Sequence, residues 1–418
     1  MKNRCFLLTV LLVASLTISS CGKAVRVNAE ELSGNRGRST AETGAVTEAF
    51  KTAYADFAFR LFAASLPDGS AEDKLISPLS AMLCLSLIAN GAEGETKTEM
   101  ENVLGLPVPE LNRALYAYTE GLMNEQDARL EKANSIWIRS GDQGLTVEEA
   151  FLQTLADWYQ AEVYSTPFDD SAVLDLNNWV SRHTDGMIKK MLDRPINPNT
   201  MMYLVNALVF DAMWEKQYQN DQVRDWVFTD ANGQEKNVDG LFSNEQCYLE
   251  GNGMKGFAKA YKGTGYYFVG LLPQDPKESL SGLCERLDGE AFLSLWQNRL
   301  HTTVKAMIPE FKTEDRTELN SVLADLGMKK MFSPDAEFLP MANYGGESLY
   351  VSEVVQKTYL ELDRKGTKAA AVTWGSMATK SAAPTEPKEV YLDRPFLYLI
   401  VDAQSGLPLF IGAAEMLR

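Results

Sequence analysis

Histidine, the side chain most often used for proton transfer in catalysis, occurs only twice in this chain of 418 residues. A Ser–His–Asp triad, a zinc site with several histidines or a proton relay would therefore depend on His183 or His301 alone. Neither residue lies near a Gly-x-Ser-x-Gly sequence or a comparable nucleophile motif. The sequence argues against most hydrolases, and a peptidase has no support in it.

The cysteines do not have the spacing of a metal site. Among five cysteines there is no C-x-x-C pair. Cys5 and Cys21 belong to the amino-terminal segment, which leaves Cys84, Cys247 and Cys284, an odd number in dissimilar contexts. We interpret these three as small core residues rather than ligands, and we expect no disulfide framework and no cofactor.

The charge of the chain excludes a class of partners. Forty Lys and Arg residues against 57 Asp and Glu residues give a net charge of −17. Removal of residues 1–20 would take away Lys2 and Arg4 and leave −19. A field of this sign repels polyanions, so we expect no nucleic-acid partner and no control by a heparin-like glycan.

The amino terminus has the form of a signal peptide. Residues 1–20 have a basic start and an apolar run from Phe6 to Ile18 that is too short to remain as a membrane span. The sequence Ile18-Ser19-Ser20-Cys21 resembles the bacterial lipobox, which implies lipidation of Cys21 and anchoring in the bacterial cell envelope through this residue only. The alternative is an ordinary secretory signal in which Cys21 is incidental. Residues 21–46, rich in small and charged residues, are predicted to form a flexible tether.

The body of the chain begins at about Thr47 and contains helices first and strands later. An unbroken apolar run at Met201–Phe210 is typical of a strand that is buried on both faces, and Asn232-Gly233 predicts a hairpin. This order, without regular βαβ alternation, predicts an α+β fold. Apolar spacing predicts helices at Thr47–Leu66, Ala81–Asn90, about 147–160, Asp175–Leu192 and Leu319–Gly327.

The segment from Gly366 to Glu389 combines small residues with an unusual absence of proline. From Thr367 to Ala383 there is no Pro, so every amide could join a sheet. Read at a period of two, one face of this stretch carries almost only small side chains. It is either a solvated linker or a segment able to slide between two existing strands.

Three stretches of the chain carry motifs in a recognisable order. The first runs from Asn177-Asn178-Trp179-Val180 to Leu204-Val205-Asn206-Ala207 and Trp214, and the second is Ile308-Pro309-Glu310-Phe311 with Leu326-Gly327-Met328. The third is Gly366-Thr367-Lys368-Ala369-Ala370-Ala371-Val372-Thr373, followed by Asp393-Arg394-Pro395-Phe396 and Pro408-Leu409-Phe410-Ile411-Gly412. Over about residues 47–418 they resemble the serpins, a family of serine peptidase inhibitors.

The resemblance implies a single domain at residues 47–418 with about eight to nine helices around three β-sheets. It also implies an exposed reactive-centre loop at about 364–389. A peptidase cleaves this loop and is acylated, and the loop then inserts into the large central sheet and traps the enzyme. The chain would thus be a monomeric peptidase inhibitor and not an enzyme. The hinge of the insertion would be Gly366, Thr367, Ala369, Ala370, Ala371, Val372 and Thr373.

The resemblance also places the cleaved bond. Counting the usual hinge length forward from Gly366 reaches Lys380-Ser381, a reasonable trypsin-like site. Counting backward from Asp393 instead reaches Pro384-Thr385. We favour Lys380, because strand insertion constrains the length on the hinge side and Pro384 is a poor cleavage residue. Cleavage at a neighbouring bond would make elastase-like peptidases targets as well, and cysteine peptidases form a further class of targets.

Supporting residues follow from the same comparison. Ser77, Ser80 and Asn206 match a buried polar cluster beneath the sheet, where Gln356 stands at a position that often holds His. Trp214 matches a buried Trp where insertion begins. Glu310 and Arg364 carry the charges of a family pair with the signs exchanged, and we predict a salt bridge between them at the loop's entry. The alternative function is a non-inhibitory serpin that acts as a binding or scaffold lipoprotein.

Overall fold

The computed structural model describes residues 26–40, 42–66, 71–122, 128–140, 145–197, 199–344, 349–367 and 387–417. Within them lie nine α-helices: α1 (Glu48–Ser65), α2 (Pro78–Ala89), α3 (Gly94–Leu104), α4 (Val108–Gly121), α5 (Glu149–Trp158), α6 (Asp170–His183), α7 (Leu280–Cys284), α8 (Gly289–Gln297) and α9 (Asn320–Leu326).

The first half of the strands is β1 (Glu30–Glu31), β2 (Lys74–Ile76), β3 (Ala128–Arg139), β4 (Leu145–Val147), β5 (Glu162–Thr166), β6 (Met202–Met213), β7 (Val223–Thr229), β8 (Glu235–Glu245), β9 (Cys247–Gly251) and β10 (Met254–Ala260). The second half is β11 (Tyr266–Pro273), β12 (Val304–Pro309), β13 (Phe311–Glu318), β14 (Ala342–Tyr344), β15 (Glu353–Leu362), β16 (Gly366–Thr367), β17 (Lys388–Tyr391), β18 (Phe396–Asp402) and β19 (Pro408–Ala414).

These strands form three main sheets in the described part of the chain. The central sheet has seven strands in the order β1-β5-β3-β6-β16-β15-β13 and mixes parallel and antiparallel pairs. A six-stranded sheet has the order β2-β19-β18-β11-β10-β9, a four-stranded sheet the order β17-β12-β8-β7, and β14 pairs with β4. The predicted α+β class is confirmed.

The core lies between the central and six-stranded sheets. Every residue of α2 is buried, because this helix contacts β6 of the central sheet and β19 of the six-stranded sheet. Pro78 opens the helix and the Ser77 hydroxyl caps it, which is favoured chemistry at a helix start. The predicted strand at 201–210 is β6, buried along almost its whole length. The predicted hairpin is β7–β8, with Trp226 opposite Val238.

The predicted helix at Asp175–Leu192 was wrong in both bounds. Helix α6 starts at Asp170, where the Asp169 carboxylate accepts a hydrogen bond from the Ser171 amide. It ends at His183, because Asp185 and Gly186 both adopt positive φ and turn the chain back. The following residues continue the apolar pattern without being helical.

The prediction that residues 21–46 form a flexible tether needs correction for the described part, from Arg26 onward. Strand β1 pairs antiparallel with β5 and extends the edge of the central sheet. The amides of Asn28 and Ala29 donate to the buried Asp175 carboxylate of α6 at 2.9 and 2.8 Å. Polar composition predicts solvation, but these contacts are made by the backbone, so composition did not reveal them.

Candidate functional site

The central sheet contains a gap between β6 and β15, closed at one end and occupied at the other. At the closed end the two strands pair directly in parallel, residues 203–207 against 353–357. At the other end β16 lies between them, antiparallel to the end of β6 and opposite Leu362 of β15. Gly366 and Thr367, the first two residues of the predicted hinge, therefore lie in this gap, at the end that we call the entrance.

Close packing at the entrance explains why glycine stands at position 366 and threonine at position 367. A Cβ atom on Gly366 would lie 2.1 Å from the carbonyl oxygen of Ala212, so only glycine fits between the strands. Thr367 is almost fully buried, and its hydroxyl lies 2.7 Å from the Tyr261 hydroxyl. Gly366 therefore allows β16 to lie close to β6, and the Tyr261 contact holds Thr367 at the entrance.

Trp214 fixes the turn that leads into β16. Its indole N–H donates to the carbonyl oxygen of Asp363 and its backbone N–H to that of Lys365, both at 2.9 Å. The indole ring stacks on the Tyr261 ring, with centroids 4.5 Å apart and planes 14° from parallel. Trp214 therefore connects the end of β6, the turn at residues 363–366 and the residue that contacts Thr367.

A buried ion pair next to Trp214 was missed by the sequence analysis. The Lys259 ammonium lies 2.9 Å from the Glu245 carboxylate, and the Lys259 side chain is almost fully buried. The ammonium also lies 4.4 Å from the Tyr218 ring centroid and 5.4 Å from that of Trp214, which are cation–π distances. The sequence did contain one signal: Lys259 is two residues from Phe257, on the same buried face of β10, and two residues before the buried Tyr261 that follows this strand.

The predicted pair of Glu310 and Arg364 is present beside the entrance. The Arg364 Nε lies 3.5 Å from the Glu310 carboxylate, and the Arg364 backbone N–H donates to the same oxygen at 3.0 Å. Burial raises the pKa of Glu310, and the Arg364 charge and backbone hydrogen bond oppose this rise only in part. The carboxylate therefore binds both the side chain and the backbone of the turn.

At the closed end of the gap, the predicted polar cluster divides into two groups. The Ser77 N–H donates to Gln356 Oε1 at 2.8 Å, and Gln356 Nε2 donates back to the Ser77 carbonyl at 2.9 Å. Asn206, opposite Gln356 in the ladder, instead donates to Asn134 of β3. Ser80 Oγ and Asn206 Oδ1 are buried without a hydrogen-bond partner among the described residues.

Helix α6 is attached to β5 of the central sheet by a second group of residues that the sequence analysis did not identify. The Glu162 carboxylate accepts hydrogen bonds from the Tyr164 hydroxyl and the Trp179 indole, and His183 Nε2 lies 3.3 Å away. Burial alone would raise the pKa of Glu162, but hydrogen bonds from His183, Tyr164 and Trp179 outweigh it and lower this pKa to about 2. His183 therefore contacts Glu162 and takes part in holding α6 against the sheet.

Several predicted residues lie outside the described part of the chain. These are the hinge residues Ala369, Ala370, Ala371, Val372 and Thr373, the bond Lys380-Ser381, and Cys21. The chain is described again from Pro387, and β17 follows at once, parallel to β12. Twenty residues, 368–387, thus connect β16 to β17.

The three remaining cysteines are unpaired in the structure. Cys84 is buried on α2, where burial raises its pKa to about 12, whereas Cys247 and Cys284 are half-buried. Within the described residues, no group of three or more His, Cys, Asp or Glu side chains could hold a metal ion. None of the helices described is both long enough and apolar enough to cross a membrane.

Comparison with known proteins gives the same family along most of the chain. The family model described as "Serpin (serine protease inhibitor)" matches residues 52–415. Serpin-Z2B of Triticum aestivum is 30% identical and aligns with 85% of this chain and 93% of its own length. An uncharacterized serpin-like protein of Methanosarcina acetivorans is 28% identical over 88% of this chain and 87% of its own.

Solved structures agree. The thermophilic serpin tengpin in its native state superposes with a TM-score of 0.87 at 40% identity, covering 93% of this chain and 100% of that one. Its latent state gives a lower TM-score of 0.79 at 38% identity, over 90% of this chain. Thyroxine-binding globulin in complex with thyroxine shares the fold at 22% identity. On this evidence the chain belongs to the serpin family.

Proposed function

We propose that this serpin inhibits serine peptidases by trapping them as acyl-enzymes. The observation that carries the proposal is the position of β16, because two hinge residues already lie in register between β6 and β15. Further residues of the loop can extend this strand antiparallel to β6, toward the closed end of the gap. The Pro-free, small-residue sequence after Thr367 supports this, since each added residue can join both neighbouring strands.

The reaction follows from the loop's chemistry. The serine hydroxyl of the target attacks the carbonyl carbon of Lys380, the Lys380–Ser381 bond breaks, and the Ser381 nitrogen takes up a proton. An ester now joins the target to Lys380. Insertion of about fourteen residues at about 3.3 Å each would carry this ester roughly 45 Å along the central sheet before water can hydrolyse it.

Complex formation with a trypsin-like peptidase tests the proposal. The chain without residues 1–20 is mixed with the active peptidase and analysed on denaturing gels. We expect an SDS-stable complex and a released fragment of 38 residues, Ser381–Arg418. The mass of this fragment identifies the cleaved bond, and a cut after Met377 or Thr379 would move the specificity toward elastase-like targets.

A hinge variant provides the matched control. Thr373→Arg places a charged, bulky side chain on the face that must be buried, so insertion slows while the cleavage site is unchanged. The variant should be cleaved as a substrate and form little complex. If the unmodified chain is cleaved without any complex, it is not an inhibitor, and the non-inhibitory alternative becomes the better account.

We also infer that the protein is exported and anchored by a lipid at Cys21. The support is the sequence alone: a basic start, an apolar run and Ser19-Ser20-Cys21. Mass spectrometry of the mature amino terminus should find a lipid-modified Cys21. A Cys21→Ser variant should be released from the membrane fraction, and a membrane-bound variant would contradict the assignment.

A further inference from the structure

The segment that begins in the last turn of α6 differs in charge from most of this acidic protein, whereas the first turn of the helix is acidic, with Asp169 and Asp170 exposed. Residues 182–194 contain four basic residues, Arg182, Lys189, Lys190 and Arg194, but only two acidic ones, for a net charge of +2. The chain as a whole carries −17. A local excess of positive charge on a strongly negative molecule gives it an electrostatic polarity.

Hydrogen bonds between two asparagine side chains of α6 and the backbone bring Arg26 and this segment to the same turn of the helix. The Asn178 side chain donates to the carbonyl oxygen of Arg26 at 2.8 Å. The neighbouring Asn177 accepts hydrogen bonds from the amides of Met191 and Leu192 at 2.6 and 2.9 Å. Arg26 and the segment around Lys190 therefore flank one helical turn.

The basic side chains of this surface are accessible. Arg26, Lys189 and Lys190 are exposed, and the Arg182 side chain is 46% exposed. Neither Lys189 nor Lys190 has an ion-pair partner in the described part of the chain, whereas the Arg182 guanidinium lies 3.6 Å from the Glu162 carboxylate. The acidic neighbour Asp185 is paired with Arg129, while Asp193 is exposed. We call Arg26, Arg182, Lys189 and Lys190 the basic face.

The basic face lies next to the point from which an anchored chain would leave the body. Arg26 is five residues after Cys21, and five residues span at most about 18 Å. A lipid on Cys21 would therefore hold the α6 side of the molecule within that distance of the membrane. The contacts of residues 26–31 with α6 and β5 prevent the body from moving farther away.

We propose that the basic face binds the anionic surface of the membrane in which Cys21 is anchored. Each Lys or Arg near such a surface adds an attraction of its own, whereas the acidic remainder is repelled, so the two effects orient the molecule in the same sense. The proposal goes beyond peptidase inhibition, and beyond attachment through the lipid alone.

This orientation leaves the reactive-centre loop away from the anchor. Glu30 lies at the level of Met202 through the register of β1, β5, β3 and β6, whereas Gly366 lies opposite Met213. Eleven residues of strand separate the two levels, or about 36 Å. The carboxyl-terminal end of α6 would face the membrane, and the entrance would lie about this distance along the strands from the anchored edge of the sheet.

Lysine labelling tests the orientation without depending on lipidation in the cell. The chain from Cys21 onward, with Cys84, Cys247 and Cys284 replaced by serine, is coupled through Cys21 to a maleimide phospholipid. It is then inserted into phosphatidylglycerol or phosphatidylcholine vesicles. On phosphatidylglycerol, Lys189 and Lys190 should react at least about fivefold more slowly with an amine-reactive reagent than on phosphatidylcholine. The exposed Lys216 and Lys277 should react equally on both.

Charge reversal provides the second measurement. We expect K189E/K190E to reduce cosedimentation of the uncoupled chain with phosphatidylglycerol vesicles by about tenfold or more. The matched control K216E/K277E should leave it unchanged. Equal labelling on both lipids, or equal losses for both double variants, would overturn the proposal. Inhibition of a soluble peptidase by the uncoupled chain is a separate readout, so failure of either proposal is recognised independently.

Discussion

At the scale of single residues, Glu310 combines two functions that its charge alone does not reveal. It pairs with the Arg364 side chain and accepts the Arg364 backbone N–H. The side chain of Arg364 is 41% exposed, so the ion pair itself contributes about 1 kcal/mol or less. The backbone hydrogen bond to a partly buried carboxylate is the stronger restraint on the turn before β16.

Charge variants of this pair separate the two contributions. Arg364→Glu should destabilise the turn and speed the spontaneous conversion to a form that no longer inhibits. Glu310→Arg should do so more strongly, because it also removes the acceptor of the Arg364 N–H. The double exchange should recover only the ion-pair part, about 1 kcal/mol or less. Residual inhibition after incubation at raised temperature measures the conversion, and a double variant with no recovery would show that the ion pair contributes nothing.

Glu162 gives the fold a predictable response to acid. Its pKa in the folded protein, about 2, is below the ordinary value near 4.5, so its ionised form stabilises the folded state above that ordinary value. This stabilisation is lost as the pH falls from about 4.5 toward 2. Glu162→Gln should cost about 1–2 kcal/mol at pH 7, since the carboxylate is partly exposed, and the cost should shrink below pH 4.5.

Denaturant unfolding of the unmodified chain and Glu162→Gln at pH 7, 5 and 3 measures this effect. Glu149→Gln is the matched control, because Glu149 is largely exposed and pairs only with Arg36 in the described structure. It should change stability little at any of the three values. A Glu162→Gln cost that stays constant down to pH 3 would contradict the assigned pKa.

At the scale of elements, Asp175 connects the amino-terminal segment to α6. It is buried and accepts from Asn28 N, Asn28 Nδ2 and Ala29 N. Asp175→Ala leaves these donors without their acceptor, at a cost of about 1–3 kcal/mol. Residues 26–46 should then become sensitive to thermolysin under native conditions. Ser171→Ala, which removes an exposed hydrogen bond of the same helix, should leave them protected; equal cleavage of both variants would contradict the role of Asp175.

For some elements, the sequence pattern alone was sufficient to predict the structure. Continuous apolar residues identified β6, and Asn232-Gly233 identified the β7–β8 hairpin, because both depend on local chemistry. The end of α6 was misplaced because apolar residues after His183 pack in a turned chain with the same periodicity as a helix. The pairing of β1 with β5 is made by backbone groups 135 residues apart in the case of Glu30 and Ser165, and no side-chain pattern encodes it.

The functional site, like the fold, could be predicted from the sequence only in part. Trp214, Thr367 and the Glu310–Arg364 pair were identified because motifs carried them, and the structure brings them together around the entrance. Lys259 was missed, since a lysine in a strand is ordinarily solvated and only its phase with buried aromatic residues indicates otherwise. The division of the polar cluster between Ser77–Gln356 and Asn206–Asn134 depends on rotamers that a sequence does not specify.

At the scale of the whole molecule, the residues before and after the loop belong to different sheets. Strand β16, before the loop, lies in the central sheet. Residues after the loop form β17 in the four-stranded sheet, and β18 and β19, two interior strands of the six-stranded sheet. A cut between 368 and 387 therefore leaves the carboxyl-terminal fragment bound by two sheets. Under the proposed mechanism, the same cut would free the hinge side, which is held at β16, to extend into the central sheet.

Cleavage of the loop by a metallopeptidase, which forms no acyl-enzyme, should therefore raise the melting temperature. The inserted residues would form hydrogen bonds with both neighbouring strands and bury their small side chains, and these interactions must be broken before the cleaved form unfolds. Ala371→Pro removes one ladder donor and distorts the inserted strand, so the cleaved variant should gain less. Scanning calorimetry before and after cleavage measures both. An unchanged melting temperature in the unmodified chain would mean that β16 does not extend, and that the position of Gly366 and Thr367 between β6 and β15 is a fixed strand end rather than the beginning of an insertion.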